Sequence, residues 1–238
     1  MKKLVALCLV LLLAAACGVF GIKPEKTAEE LAKEGMENLE HGRYSQAIEN
    51  FEHLRDWYPF SEYAVLAELK LGDAYFRAKR WEEAIFAYQQ FESLHPTHEA
   101  VPYAVYQMGM AWFEQMRPPD RDQTPASRAL EVFQRLTGQH PESPYAVLAA
   151  EKSRVCLQHL AKHEISVARF YFRTGKPEAA ADRLLAVLAN YPDVGTHQEA
   201  LRYLAKIRQE KAKGKKNEEP SGPLPPTKTP AVPKTPGM

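Results

Sequence analysis

GDAYFRAKRWEEAIFAYQQFESLHP, residues 72–96, decides the fold. It opens on Gly72, carries Ala84 and Tyr88 four residues apart, and closes on Pro96. The same order of residue types stands upstream in GMENLEHGRYSQAIENFEHLRDWYP (35–59) and downstream in GMAWFEQM…ASRALEVFQRLTGQHP (109–141). Gly35, Gly72 and Gly109 are spaced by 37 residues, as are Ala47 and Ala84, and Pro59 and Pro96. In the third copy Ala129 follows Ala84 by 45 residues, because about eight are inserted within MRPPDRDQTPAS (116–127). A fixed period of this length is the mark of stacked structural repeats.

Each copy reads as two helices. The glycine on the first helix and the alanine on the second allow a close crossing. Phe51, Tyr88 and Phe133, each four residues after its alanine, share that face and fill the gap between hairpins. Pro59, Pro96 and Pro141 stop the second helix. One such pair cannot bury its own apolar face, so pairs stack on one another. The recurring positions resemble the tetratricopeptide repeat, which implies a right-handed superhelix with a concave groove.

Working outward, residues 145–174 contain neither Gly nor Pro. This predicts one long helix near 144–174, about 45 Å in length, with two helices around a turn near His159–Ile165 as the alternative. Gly175 ends it. Pro177 to Tyr191 form a further second-type helix with Ala180 and Leu184 at the alanine and aromatic positions, and a last helix runs from about His197 to Ala212. The expected fold is all-α, a tetratricopeptide-like superhelix of about five helix hairpins. It divides into a three-repeat groove over 27–141 and C-terminal helical repeats over 142–212. Residues 213–238 are proline-rich, polar and without aromatics, the composition of a disordered tail.

At the other end stands MKKLVALCLVLLLAAAC. Lys2 and Lys3 precede ten apolar residues, Leu4 to Leu13, about half of the roughly 20 that a membrane span needs. A basic start, a short apolar stretch and small residues describe a signal peptide over 1–16, cut before Cys17. LLLAAAC resembles the lipobox of bacterial lipoproteins, with Ala14 where leucine usually stands. The resemblance implies that Cys17 becomes an acylated, palmitate-bearing N-terminus, at the head of a lipid-anchored linker over 17–26. An ordinary signal cut nearby would instead leave a free thiol. Two acyl chains already anchor stably, and lipoproteins of this type carry three. By resemblance to lipoprotein sorting, Gly18 in place of Asp implies the outer membrane, periplasmic face. Cys8 leaves with the signal, so only Cys156 remains as a thiol, and no intramolecular disulfide can form. Its apolar helical neighbours Val155, Leu157 and Leu160 make it a core residue.

Four stretches go beyond the general repeat: WYPFSEYA (57–64), HPTHEAVPYAVYQMGMAWF (95–113), DRDQTPASRALEVFQRL (120–136) and LAKHEISVARFYFRTGKPEAAADRLLAVLANYPD (160–193). From about Thr27 to about Arg208 the chain resembles the BamD family, the tetratricopeptide lipoproteins of the outer-membrane β-barrel assembly (BAM) complex. The short insertion in the third unit and the proline-rich end depart from the family. The resemblance implies a non-enzymatic subunit that receives unfolded outer-membrane β-barrel proteins and docks on BamA, beside other lipoproteins of that complex, without a cofactor.

Repeat register places Met36 and Leu39, then Leu66, Asp73 and Phe76, then Tyr103, Tyr106, Met110 and Phe113 along the groove. Tyr supplies contact area at low entropic cost and Met adapts to varied partners. Asp73 reads as an isolated acid able to accept a backbone N–H from a bound peptide. Arg169 and Arg183 match basic positions of the family's C-terminal half, which implies BamA docking, whereas Arg154 reads as solvated.

Other signals carry less. His159 and His163 lie four apart on a helix without a third metal ligand, His95 and His98 sit at a hairpin junction, and TGK (174–176) lacks the upstream glycine of a phosphate loop. A formal net charge of +1 gives no case for nucleic acid. A competing reading is another periplasmic repeat protein, such as a Tol–Pal-associated cell-division factor, although those usually add a coiled coil and lack a lipobox. An enzyme such as a wall hydrolase would need a catalytic constellation outside the repeats.

Overall fold

The computed structural model describes residues 26–218, in which nine α-helices and no strand are found. Cys17, the signal peptide, the linker up to residue 25 and the tail from residue 219 lie outside the described residues. The helices are α1 (Ala28–Glu40), α2 (Tyr44–Trp57), α3 (Ala64–Arg77), α4 (Trp81–Leu94), α5 (Val101–Phe113), α6 (Thr124–Gln139), α7 (Pro144–Arg173), α8 (Pro177–Asn190) and α9 (His197–Glu218). The long helix is a single element, α7, of 30 residues. α9 continues past Ala212, where the sequence reading ends it.

Two compact units are present: residues up to Met116 with Arg128–Ser153, and Arg117–Ser127 with Arg154 onward. In the first unit α1 packs on α2, α2 on α3, α3 on α4 and α4 on α5. Thr27 starts the stack with a capping box. Its hydroxyl accepts the Glu30 N–H (3.3 Å) while the Glu30 carboxylate accepts the Thr27 N–H (2.8 Å).

The repeat pattern acquires its physical meaning at the glycines. A Cβ on Gly35, Gly72 or Gly109 would lie 2.5 Å from a ring carbon of Phe51, Tyr88 or Phe133 respectively. Each ring therefore sits on the glycine of its own hairpin, inside the pair as well as between pairs. All three rings are fully buried, and burying such a side chain stabilises by about 1.5–3 kcal/mol. Seven residues after the glycine the chain turns through the left-handed region, at Gly42 (φ 73°) and at Lys79 (φ 59°). The next amide reaches back to the helix, Arg43 N–H to Asn38 O (2.8 Å) and Arg80 N–H to Tyr75 O (2.9 Å), closing each first helix with a Schellman-type turn.

Side chains also bond from one repeat to the next. Tyr75 donates to Glu52 (2.6 Å), Tyr103 donates to Asp73 (2.7 Å), and Arg135 forms a two-pronged pair with Glu92. His95 Nε2 meets Glu68 at 2.6 Å beside the Phe91 ring, so the hairpin-junction histidine is held by a carboxylate as well as by its turn.

The second unit reuses the register with smaller parts. Ala168, Ala180 and Leu184 stand at the offsets of Gly72, Ala84 and Tyr88, and all three are buried in one core with Ile165, Val187 and Ile207. Leucine in place of a ring leaves room for the methyl of Ala168. Gly175 (φ 74°) makes the same turn, with Lys176 N–H bonded to Tyr171 O at 2.9 Å. His159 and His163 strap the inserted loop to α7, through Nε2 to Arg117 O (2.7 Å) and Nδ1 to Pro119 O (2.5 Å). Cys156 is buried.

Candidate peptide groove

The first helices of the three hairpins present one face each to a common cavity of about 630 Å³ in the first unit. Helix α1 contributes Met36, Leu39 and Glu40. Helix α3 contributes Lys70, Asp73, Phe76 and Arg77, and α5 contributes Tyr103 and Gln107, while Tyr88 reaches in from α4. Five of the groove positions read from the register, Met36, Leu39, Asp73, Phe76 and Tyr103, are thus brought together.

The other four positions lie elsewhere. Leu66 is solvent-exposed near the start of α3. Tyr106 packs 5.9 Å from the Phe133 ring and 5.8 Å from Tyr145. Phe113 lies 6.4 Å from Phe133, with Lys152 Nζ 4.6 Å over its ring. Met110 is half-buried and does not line the cavity. A regular 37-residue register cannot separate a groove ring from a packing ring, because both fall on the same face of the helix.

Asp73 corrects the sequence reading most. It is 8% exposed and is not an isolated acid. Its Oδ1 accepts from the Tyr88 hydroxyl (2.8 Å) and the Tyr103 hydroxyl (2.7 Å), and its Oδ2 pairs with Lys70 Nζ (2.7 Å). Gln107 Nε2 donates to the Tyr103 oxygen at 3.1 Å. Burial, then the adjacent Asp73 charge, pushes both phenols well above their ordinary range, so both remain protonated donors. The carboxylate is therefore consumed in joining α3, α4 and α5, and a bound peptide meets a wall whose polar groups already have partners.

What stays available is the rim. Arg77 and Glu40 are exposed at the cavity, and Met36, Leu39 and Phe76 form its apolar side. Phe76 is braced edge-on by Trp81 at 5.1 Å. The surface is thus apolar along one side, with Arg77 and Glu40 offering one charge of each sign at its rim.

Lys70, Arg77, Gln107 and the hydroxyl of Tyr88 are site groups that the register did not supply. A signal for the network was present. The residue after the glycine is Met36 in the first unit and Met110 in the third, with Phe51 and Phe133 below them. Only the second unit carries Asp73 and Tyr88, an acid and a hydroxyl introduced together.

In the second unit Arg169 and Arg154 are exposed on α7. Arg183 on α8 is held by Glu164, Nη1 to Oε2 at 3.0 Å, a pairing that raises the guanidinium pKa further.

A family model described as Outer membrane lipoprotein (YfiO) matches residues 24–221. The chain is similar to outer membrane protein assembly factor BamD of Caulobacter vibrioides, with 29% identity over 84% of this chain and 68% of that one. It is similar to BamD of Neisseria gonorrhoeae, with 28% identity over 86% of this chain and 83% of that one. BamD of Vibrio cholerae is also 28% identical, over 76% and 79% of the two chains. Among solved structures, MamA protein is 18% identical, covering 82% of this chain and 98% of that one at a TM-score of 0.40. TTC0263, a thermophilic tetratricopeptide-repeat protein of Thermus thermophilus, is 14% identical, covering 77% and 100% at 0.42. The fold assignment rests on the helices and their register.

Proposed function

Because the chain belongs to the YfiO family of outer membrane lipoproteins, we propose that it is a non-enzymatic subunit of the BAM complex. In this reading it is held to the periplasmic face of the outer membrane by acylated Cys17. Its first unit receives unfolded β-barrel proteins along the groove, and its second unit docks on BamA through the face bearing Arg169 and Arg183. Its relatives are outer membrane protein assembly factors, which supports the assembly role. Among the described residues no helix is long and apolar enough to cross a membrane.

One observation carries the client-binding part. The cavity opens between the first helices of three successive repeats and offers Met36, Leu39 and Phe76 beside Arg77. Outer-membrane strands alternate apolar and polar residues, and an extended segment of that kind matches an apolar wall with a charged rim.

Affinity capture of the full chain from detergent-solubilised outer membranes tests the assignment. BamA is expected in the eluate; Tol–Pal components without BamA would overturn it. A photocrosslinker replacing Phe76 is expected to trap a nascent barrel protein, and one replacing Phe86, exposed on α4 outside this cavity, is not. Equal trapping at both positions would remove the groove from the proposal.

A further inference from the structure

Between α2 and α3 the chain makes an aromatic turn. Tyr58 ends α2 with its N–H on Leu54 O (3.0 Å), Ser61 N–H bonds to Tyr58 O (3.0 Å), and Ala64 N–H bonds to Ser61 O (3.1 Å). Pro59 fixes a backbone angle within it. The turn holds its apolar side chains outward. Trp57 is 49% exposed and Phe60 is 101% exposed, so none of the described residues shields the Phe60 ring. His53 stacks on the Trp57 indole at 4.1 Å and covers one of its faces. Two exposed rings three residues apart on one turn, one of them wholly uncovered, mark an interaction site.

A second observation says what meets them. The Tyr58 hydroxyl donates to the backbone carbonyl of Lys26 at 2.9 Å, and Lys26 Nζ is paired with Glu34 at 2.5 Å. Lys26, the first of the described residues, therefore lies beside this turn. Nine residues connect Cys17 to it, a reach of about 30 Å at most.

We propose that Trp57 and Phe60 enter the interfacial layer of the phospholipid leaflet that holds the anchor. The inference rests on the proposed acylation of Cys17. Aromatic rings suit that layer, where apolar body and polar edge both find partners. The flanking charge selects the lipid. Lys26 is paired with Glu34 and Arg55 with Asp56, whereas the acids Glu29 and Glu62 stand beside Tyr63, close to the exposed rings. Both raise the pKa of the neighbouring Tyr63 phenol. The turn accordingly accepts zwitterionic headgroups and is repelled by anionic ones, opposite in sign to the polybasic segments that seek anionic lipid. The anchor holds the turn at high local concentration, so weak insertion suffices.

The test places the acylated full chain in zwitterionic vesicles with brominated acyl chains and reads tryptophan quenching. The wild type is expected to be quenched, Trp57→Phe to lose most of that quenching, and Phe60→Ser, a change at a fully exposed position, to lose part of it. Adding anionic lipid should lower the wild-type signal. Unchanged quenching in Trp57→Phe, or none in a chain that cosediments with the vesicles, overturns the membrane contact and leaves the anchor standing. A chain that does not cosediment refutes the anchor, and this proposal with it. Trp57 that is unquenched in vesicles holding this chain alone but shielded in a captured complex assigns the turn to a protein partner and equally overturns it.

Discussion

Replacing Gly72 by alanine adds one methyl group to the middle of a helix, and the structure fixes what that methyl meets. It would stand 2.5 Å from Cε1 and 2.7 Å from Cδ1 of Tyr88. The ring must retreat by about 1 Å to restore ordinary contact. Tyr88 cannot retreat freely, because it is fully buried and its hydroxyl is held 2.8 Å from Asp73. Overpacking of this kind costs about 1–3 kcal/mol, and the gain from removing a helical glycine offsets at most about 1 kcal/mol. The net expectation is a loss of about 1–2 kcal/mol. Gly138 in α6 supplies the matched control, since a Cβ there meets nothing within 4 Å. Gly138→Ala should stabilise by about 0.5–1 kcal/mol. All three tryptophans, Trp57, Trp81 and Trp112, lie in the first unit, so urea denaturation followed by their emission reports that unit. Equal or greater stability of Gly72→Ala relative to Gly138→Ala would refute the reasoning that the glycine exists to seat the ring.

Two further expectations concern the polar network. Asp73→Met alone strands the buried Tyr88 hydroxyl and removes the acceptor of Tyr103, at a cost of about 3–5 kcal/mol; adding Tyr88→Phe restores the Met-and-Phe pairing of the neighbouring repeats and should recover about 1–2 kcal/mol of it. Strict additivity in a double-mutant cycle would contradict that coupling. The phenols also set an alkaline limit. Tyr75 is pushed up to about 12 by burial and Glu52, and Tyr88 and Tyr103 are raised as well. The native chain thus holds protons that the unfolded chain releases near pH ~10, so stability falls as pH rises from about 10 through the raised values. Denaturation midpoints taken across that window should decline, and decline less steeply in Tyr88→Phe.

The three repeats were legible because glycine, alanine, ring and proline each answer a separate steric demand at a fixed spacing. The single helix α7 was legible for want of any breaker between Tyr145 and Thr174. The groove was only partly legible. Periodicity assigns residues to a face, and that face in α5 is shared between the cavity, which takes Tyr103, and the packing around Phe133, which takes Tyr106 and Phe113. Asp73 was misread because its partners come from two other helices, 15 and 30 residues away. Lys79 in the left-handed turn was invisible for a different reason: Gly42 and Gly175 show the demand of that position, and Lys79 meets it against its own preference.

The bonds that cross between repeats bear on how the groove wall comes apart. In a one-dimensional stack, stability is a sum of terms within units and terms at junctions, and the array frays from an end wherever a junction is weak. Here the first junction is closed by Tyr75 on Glu52, and the second by Tyr103 on Asp73 and by the forked Arg135–Glu92 pair. Bonds to charged groups are stronger than neutral ones, so neither junction is a soft seam. The three hairpins accordingly melt and form as a block, and the groove face stands whole or not at all.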